Sequence, residues 1–369
     1  MAEGANTILV TGVAGNLGRR LLLQLKELRS ESSQSQGVDF RVLGVDMAPE
    51  PGAEMWRYER LDLALESSCD ELVRLLRESG ARAVAHLAFV IDPLRNGVLD
   101  LRRMWQINVA GTARVMEAIA EVNRRGGNIS KFIFPSSVSA YGPELPPMVD
   151  ESHLLEAHTL PYAVHKAQAD EVAQARAEDL GDCRTYILRP HIFVGASMEN
   201  YMVGALRGTP TGKGKLAERM RERGRRLPVL LPAGDQYLRK KFQFLHVDDM
   251  ARLIVWLLRH GGSGSGLTIL NVGGRGEPLP LAECLQLANA KRIRLPGRLL
   301  CKQVLRLLWD FGISGVPPAA LPYMIGSYTM NCGRLQQMLG RDYEQVIRYT
   351  VREALADSFV SRSTPAAAS

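Results

Sequence analysis

The sequence predicts an α/β fold, a doubly wound parallel sheet with a smaller, discontinuous C-terminal region, and three observations carry that prediction. The apolar run Thr7-Ile8-Leu9-Val10-Thr11 breaks into glycines at Gly12, Gly15 and Gly18. Leu17, Leu21, Leu25 and Leu28 follow at the spacing of one helix face. Beyond them, short apolar runs alternate with helical patterns, as parallel strands joined by covering helices require.

The elements follow in order. After the first helix, the polar tract Ser30–Gln36 reads as a loop and Arg41–Asp46 as a second strand ending on an acid. Arg57–Leu63 gives a short third strand, Cys69–Ser79 a helix, and Ala83–Ala88 a strand of buried type. Leu101–Asn123 is a long helix, Lys131–Ser136 a strand, Tyr162–Leu180 a helix and Thr185–Leu188 a strand. Past Arg189 the rhythm breaks. Helix Asp248–Arg259, the turn Gly261–Gly266 and strand Leu267–Val272 return to the main sheet, and helices with short links follow from Glu277. This divides the chain into a sheet domain over 1–190, rejoined by 243–275, and a second region over 191–242 and 276–360. Residues 361–369 form a disordered tail.

Composition narrows the class. A chain of 369 residues, 46% hydrophobic, buries a large core. No apolar run approaches the ~18 residues of a membrane span, and no basic-then-apolar leader precedes the first strand. Five scattered cysteines, none spaced C-x-x-C, point to a reducing compartment, hence the cytoplasm, with no zinc site or other metal site. The net charge of +7 is concentrated: Arg207–Arg226 carries eight basic and two acidic residues. That stretch suits an anionic substrate, a carrier, a membrane surface or simply a solvated loop. Without interleaved aromatics it does not suit nucleic acid.

A strand, a glycine turn and a helix start form a phosphate site. Gly12 permits the turn, Gly15 lets an anion approach, and Gly18 lets helix and strand pack, with free N–H groups facing a pyrophosphate. Asp46 is positioned to accept both hydroxyls of an adenosine ribose and to repel a 2′-phosphate, favouring NAD over NADP, although Arg19 and Arg20 lie close by. Asp62 stands where it reaches an adenine. Further on, Tyr162 and Lys166 are one helical turn apart and share a face. An ordinary phenol, with pKa near 10, is a poor base at neutral pH. An ammonium and a positive nicotinamide beside it favour the phenolate. Ser137, at the end of the preceding strand, hydrogen-bonds the same substrate oxygen.

These ordered motifs resemble the extended short-chain dehydrogenase/reductases, the NAD-dependent epimerases and dehydratases with a Rossmann domain. The resemblance runs from residue 7 to about 355. It rests on Thr11–Gly18, Asp46, His86-Leu87-Ala88, Asn108–Thr112, Ser136-Ser137, Tyr162–Lys166, Leu188-Arg189-Pro190 and His246–Asp249. The run His86–Leu94 is similar to a UDP-glucose 4-epimerase-like subgroup. The resemblance implies Ser137, Tyr162 and Lys166 as catalytic residues. It implies NAD contacts from Gly12, Gly15, Asn16, Leu17, Gly18, Asp46, Asp62, Leu63, Leu87, Ala88, Asn108, Ser136, Tyr162, Lys166, Pro190 and Ile192. It also implies a homodimer through the two long helices.

The chain departs from that pattern at the substrate end. Ile192 stands where sugar-nucleotide epimerases carry an asparagine, and Phe242 where an arginine clamps the diphosphate; the late R-x-G-D is missing. Each lost Arg–phosphate contact forfeits about 1.5–3 kcal/mol. Lys240, Lys241 or the basic segment are possible replacements. Val138-Ser139 replaces the Asp-Glu of 4,6-dehydratases, which argues against that reaction. The expected substrate contacts are Phe89, Ser139, His191, Asn200 and Phe242, with Phe89, Ile192 and Phe242 forming an apolar pocket. Leu299, Leu300, Val304, Leu305, Leu308 and Trp309 are expected to form a core or subunit-contact helix rather than a lipid lid. Three functions stay open: a net oxidoreductase on a substrate less polar than a sugar nucleotide, an NDP-sugar 4-epimerase with bound NAD, and a non-catalytic NAD-binding protein. The intact Ser/Tyr/Lys set argues against the last.

Overall fold

The computed structural model describes residues 6–32, 40–91 and 100–360. Asp92, Pro93 and Leu94 of the His86–Leu94 run, the tract from residue 33 to 36 and the expected tail lie outside the described residues. Seven strands form one parallel sheet: β1 (Asn6–Thr11), β2 (Phe40–Asp46), β3 (Arg57–Arg60), β4 (Ala83–His86), β5 (Lys131–Pro135), β6 (Arg184–Pro190) and β7 (Gly266–Val272). Their spatial order is β7-β6-β5-β4-β1-β2-β3, with every neighbouring pair parallel. The order reverses between β1 and β4, and sheets of this kind bind ligands at the carboxyl ends of strands at that switch point.

The helices used below are α1 (Asn16–Ser32), α2 (Ser68–Ser79), α3 (Gly111–Arg124), α4 (Pro161–Arg176), α5 (Lys215–Glu222), α6 (Val247–His260) and α7 (Gly297–Asp310). Side chains alternate across β1: Ile8 and Val10 pack with Leu21 and Leu25 of α1 and Leu253 and Ile254 of α6. Leu9 packs on the other face with Leu72 of α2, Val115 of α3 and Ala169 of α4. Two buried faces explain why the strands read as continuous apolar runs. The long helix expected from Leu101 is not uniform. Leu101–Trp105 is α-helical, Gln106–Ala110 forms a π-helical turn, and α3 continues from Gly111. Such insertions recur at functional sites, and this one carries Asn108.

A second core gathers Val194, Met202, Leu231, Phe242, Phe244, Leu285, Tyr323 and Tyr328. Not everything after Glu277 joins it, because Leu335, Leu339, Val346 and Ile347 pack with α6 and the main sheet. Arg292–Leu295, expected among helices, is a strand parallel to Val229–Pro232. Four residues are too few for periodicity to reveal. Among the described residues no helix is long and apolar enough to cross a membrane.

Candidate active site

The glycine bend follows β1 directly. Gly12 has φ +70, and a Cβ there would lie 2.5 Å from the Ala88 backbone nitrogen. Only glycine satisfies both the left-handed backbone and that approach. A Cβ on Gly18 would lie 2.5 Å from the Val13 carbonyl oxygen, so α1 can start against the bend only with glycine there. The exposed Gly15 donates its N–H to the Gly12 carbonyl at 3.0 Å. Between these turns lies a cleft of about 440 Å³ lined by Gly12, Gly15, Asp46, Leu63, Ala88 and Phe89, among others.

Asp46 ends β2 on the cleft wall, accepting from the Ala14 N–H at 2.9 Å and the Ala48 N–H at 3.0 Å. Both contacts fix the carboxylate and leave each oxygen a further lone pair. Asp62 is committed elsewhere: it accepts from the Ala64 N–H at 2.9 Å and pairs with Arg103 at 2.6 Å. Leu61 and Leu63, rather than Asp62, line the cleft. Arg20 pairs with Asp248 at 3.2 Å. Asn16 is exposed and donates to the Ser197 carbonyl at 3.0 Å, while Leu17 packs into the α1 core.

A buried relay holds the floor of the cleft. The Thr112 hydroxyl donates to the Asn108 carbonyl at 2.7 Å, so toward His86 Nε2, 3.0 Å away, Thr112 can only accept. His86 therefore carries its proton on Nε2 and accepts at Nδ1 from Thr11, 2.7 Å away, whose oxygen accepts the Ala88 N–H at 3.2 Å. Burial pushes His86 down to about 3, which keeps this neutral tautomer in place. The Asn108 amide clamps Val90 from both sides, at 2.7 and 2.9 Å, and lies 3.4 Å from His165 Nδ1.

Beyond Ala88 the cleft reaches the second constellation. The Phe89 ring meets the Tyr162 ring edge-on, centroids 5.8 Å apart, and the Lys166 ammonium lies 3.5 Å from the Phe89 ring centre. Lys166 also donates to the Pro135 carbonyl at 2.6 Å. The structure thus brings Tyr162, Lys166 and the glycine bend to one end of the sheet. Ser137 Oγ accepts from the Ser139 N–H at 3.1 Å and the Ser139 hydroxyl at 2.9 Å. Among the described residues the neighbouring Ser136 Oγ is buried without a partner. Burial raises the Tyr162 phenol above its ordinary range, against a hydrogen bond with Ser137 that lowers it. Burial also drives Lys166 down to about 7, opposed by the charge of Asp170. Desolvation penalises both charged forms, the phenolate and the ammonium.

The expected substrate residues fare differently. Phe242 is fully buried, stacked between Phe244 and Tyr328, so it belongs to the second core and not to a pocket wall. Asn200 is the N-cap of Tyr201–Arg207, accepting from Val203 N–H at 3.0 Å and donating to the Phe193 carbonyl at 2.6 Å. His191 is buried, with Nε2 3.0 Å from the Tyr328 carbonyl. Pro190 ends β6, and the partly buried Ile192 begins a short strand beside Phe244–His246. Lys240 pairs with Glu144. Of the proposed pocket trio, only Phe89 lines the cleft.

A family model for the NAD-dependent epimerase/dehydratases matches residues 8–273, well over half of the chain. The chain belongs to the NAD-dependent epimerase/dehydratase family. Curated relatives match over part of the chain. An uncharacterised epimerase/dehydratase of Staphylococcus saprophyticus is 24% identical over 179 residues, covering 47% of this chain and 49% of its own. The match thus spans about half the length of that relative. Solved structures agree in fold. MoeE5 in complex with UDP-glucuronic acid and NAD aligns at TM-score 0.61 and 22% identity, covering 96% of this chain and 98% of its own. The UDP-glucuronic acid 4-epimerase of Bacillus cereus, with UDP-glucuronic acid and NAD, gives 0.62, 19%, 96% and 98%. The Thermus thermophilus UDP-glucose 4-epimerase with NAD gives 0.61, 19%, 96% and 98%.

Within this family member, sequence reading passed over one buried group that bears on the site. Asp170 grips Arg189 through two 2.9 Å contacts, and Arg189 also donates to the Tyr141 hydroxyl and the Glu151 carbonyl at 2.9 Å each. The available signal was spacing: Asp170 follows Lys166 by one helical turn.

Proposed function

We propose that the protein is an NAD-dependent oxidoreductase that moves hydride at a secondary alcohol or ketone carbon. Phe89 carries the reading: one ring borders the glycine cleft and touches both Tyr162 and Lys166. The bend accepts no side chain at Gly12, and Asp46 is held by two backbone N–H groups on the wall, a fit for a pyrophosphate and an adenosine ribose. NAD is preferred to NADP, since a fixed carboxylate repels a 2′-phosphate and Arg20 is paired with Asp248. Gly15, Gly18, Leu63, Leu87, Ala88 and Asn108 complete the cofactor set.

Bound NAD supplies the hydride acceptor or donor. Tyr162 takes or returns the proton of the substrate oxygen, Ser137 hydrogen-bonds that oxygen, and Lys166 favours the phenolate. Burial raises the phenol and the Ser137 hydrogen bond lowers it; Lys166 and, when NAD is bound, its positive ring would both favour the phenolate. The substrate is a small molecule, apolar or anionic. A homodimer across α3 and α4 belongs to the same reading. It is supported by Leu101 and Trp105, 54% and 38% exposed on the helical stretch that leads into α3. A cytoplasmic location accords with five free cysteines.

A second reading, an NDP-sugar 4-epimerase, is favoured by the UDP-sugar complexes among the structural neighbours. Two assays separate them. An oxidoreductase produces NADH from NAD, read at 340 nm, across a panel of secondary alcohols. An epimerase interconverts UDP-glucose or UDP-glucuronic acid with no added cofactor.

A further inference from the structure

α7 is apolar on two opposite sides. Cys301 and Leu305 are buried beneath it, as a single-faced helix requires. On its outer side Leu299, Leu307 and the C-cap residue Phe311, successively eight and four residues apart, are 70%, 55% and 70% exposed. Of the expected core or subunit-contact helix, one face is core and the other is exposed. Lys302 and Arg306 are exposed beside that outer row.

The same surface receives the basic segment. The Gly212 N–H donates to the Ile313 carbonyl at 3.0 Å and the Gly214 N–H to the Gly312 carbonyl at 2.9 Å, joining the start of α5 to the end of α7. Glycine permits this approach, since a Cβ on Gly212 would fall 1.9 Å from the Gly312 oxygen. Arg221 pins α5 by donating to the Pro210 and Gly212 carbonyls at 2.6 and 2.9 Å. Leu216 stands 51% exposed at the start of α5, and Lys215, Arg219, Arg223, Arg225 and Arg226 are exposed around it.

We propose that this face, formed by α7 and α5, docks on the surface of an anionic lipid bilayer. Protruding leucines and a phenylalanine, with exposed lysines and arginines on the same two joined helices, match an interface of acyl chains beneath negative headgroups. A second copy is a poor occupant, because a two-fold contact would set one strongly basic segment against another.

The test is flotation of the full chain with phosphatidylcholine vesicles, with and without 30% phosphatidylserine. Binding is expected only with phosphatidylserine at 100 mM salt, falling at least tenfold at 500 mM. A Leu307→Ser/Phe311→Ser variant and a Lys215→Glu/Arg219→Glu/Arg223→Glu variant each lose at least tenfold, with melting temperatures unchanged because these side chains are exposed. No flotation of the wild type, or flotation unchanged in both variants, overturns the proposal. So does a wild-type dimer that becomes monomeric in Leu307→Ser/Phe311→Ser. Capture by polyglutamate that the apolar variant leaves intact, with no vesicle binding, points instead to an acidic protein and equally overturns it.

Discussion

The Lys166 ammonium lies 3.5 Å from the centre of the Phe89 ring, and the same ring meets Tyr162 edge-on. A buried cation over an aromatic face gains about 1 kcal/mol or more, which favours the charged lysine. Phe89→Leu keeps an apolar side chain but removes that face. About 1 kcal/mol converts to about 0.7 pH unit. The alkaline limb of kcat/KM, where Lys166 loses its proton, is expected to move down by that amount. An unmoved limb would show that the ring does not tune the lysine.

Gly12 and Gly52 offer a controlled pair. Both have positive φ, but only at Gly12 would a Cβ strike backbone, while nothing lies within 4 Å at Gly52. Gly52→Ala is expected to cost about 1–2 kcal/mol of backbone strain and to keep the rise in melting temperature caused by NAD. Gly12→Ala loses that rise.

Asp46→Ser removes the carboxylate and retains a hydroxyl toward the Ala14 and Ala48 N–H groups. NAD affinity measured by titration calorimetry is expected to fall about tenfold, or about 1.4 kcal/mol. NADP affinity is expected to rise or hold, narrowing the preference between them.

Two buried histidines set an acid limit on stability. His86 and His191 are both pushed down to about 3 by burial, against about 6.5 in an unfolded chain. Between those values only the unfolded state takes the protons. Their contribution is therefore complete above pH 6.5 and is lost as pH falls toward 3, at up to about 1.4 kcal/mol per pH unit for each. The urea midpoint of the wild type should drop between pH 7 and pH 5. His86→Gln, though less stable at pH 7, should drop less over that interval.

The sheet was legible because β1, β2, β4 and β6 are buried on both faces and read as apolar runs, while Gly12 marks a left-handed turn and Gly18 a close approach that a side chain would block. Tyr162 and Lys166 were legible because one helix turn fixes their shared face whatever the tertiary context. Phe242 and Asn200 were not. An apolar residue near a site reads alike whether it lines a pocket or fills a core, and Phe242 fills the core. Asn200 serves as a helix cap, a local use of asparagine that residue type alone does not distinguish from a substrate contact. The His86 relay and the Asp170–Arg189 pair depend on residues up to 101 positions apart in sequence (Thr11 to Thr112), which no local pattern joins.

Tyr162 as the proton carrier in hydride transfer is the claim on which the functional account turns. Its most direct test offers a ketone panel to the protein with NADH deuterated at C4 and follows the label by mass spectrometry. The account predicts deuterium at the carbinol carbon of at least one product, reduced at least a hundredfold in Tyr162→Phe while NAD affinity is unchanged. Label transfer that survives Tyr162→Phe at the wild-type rate would contradict it.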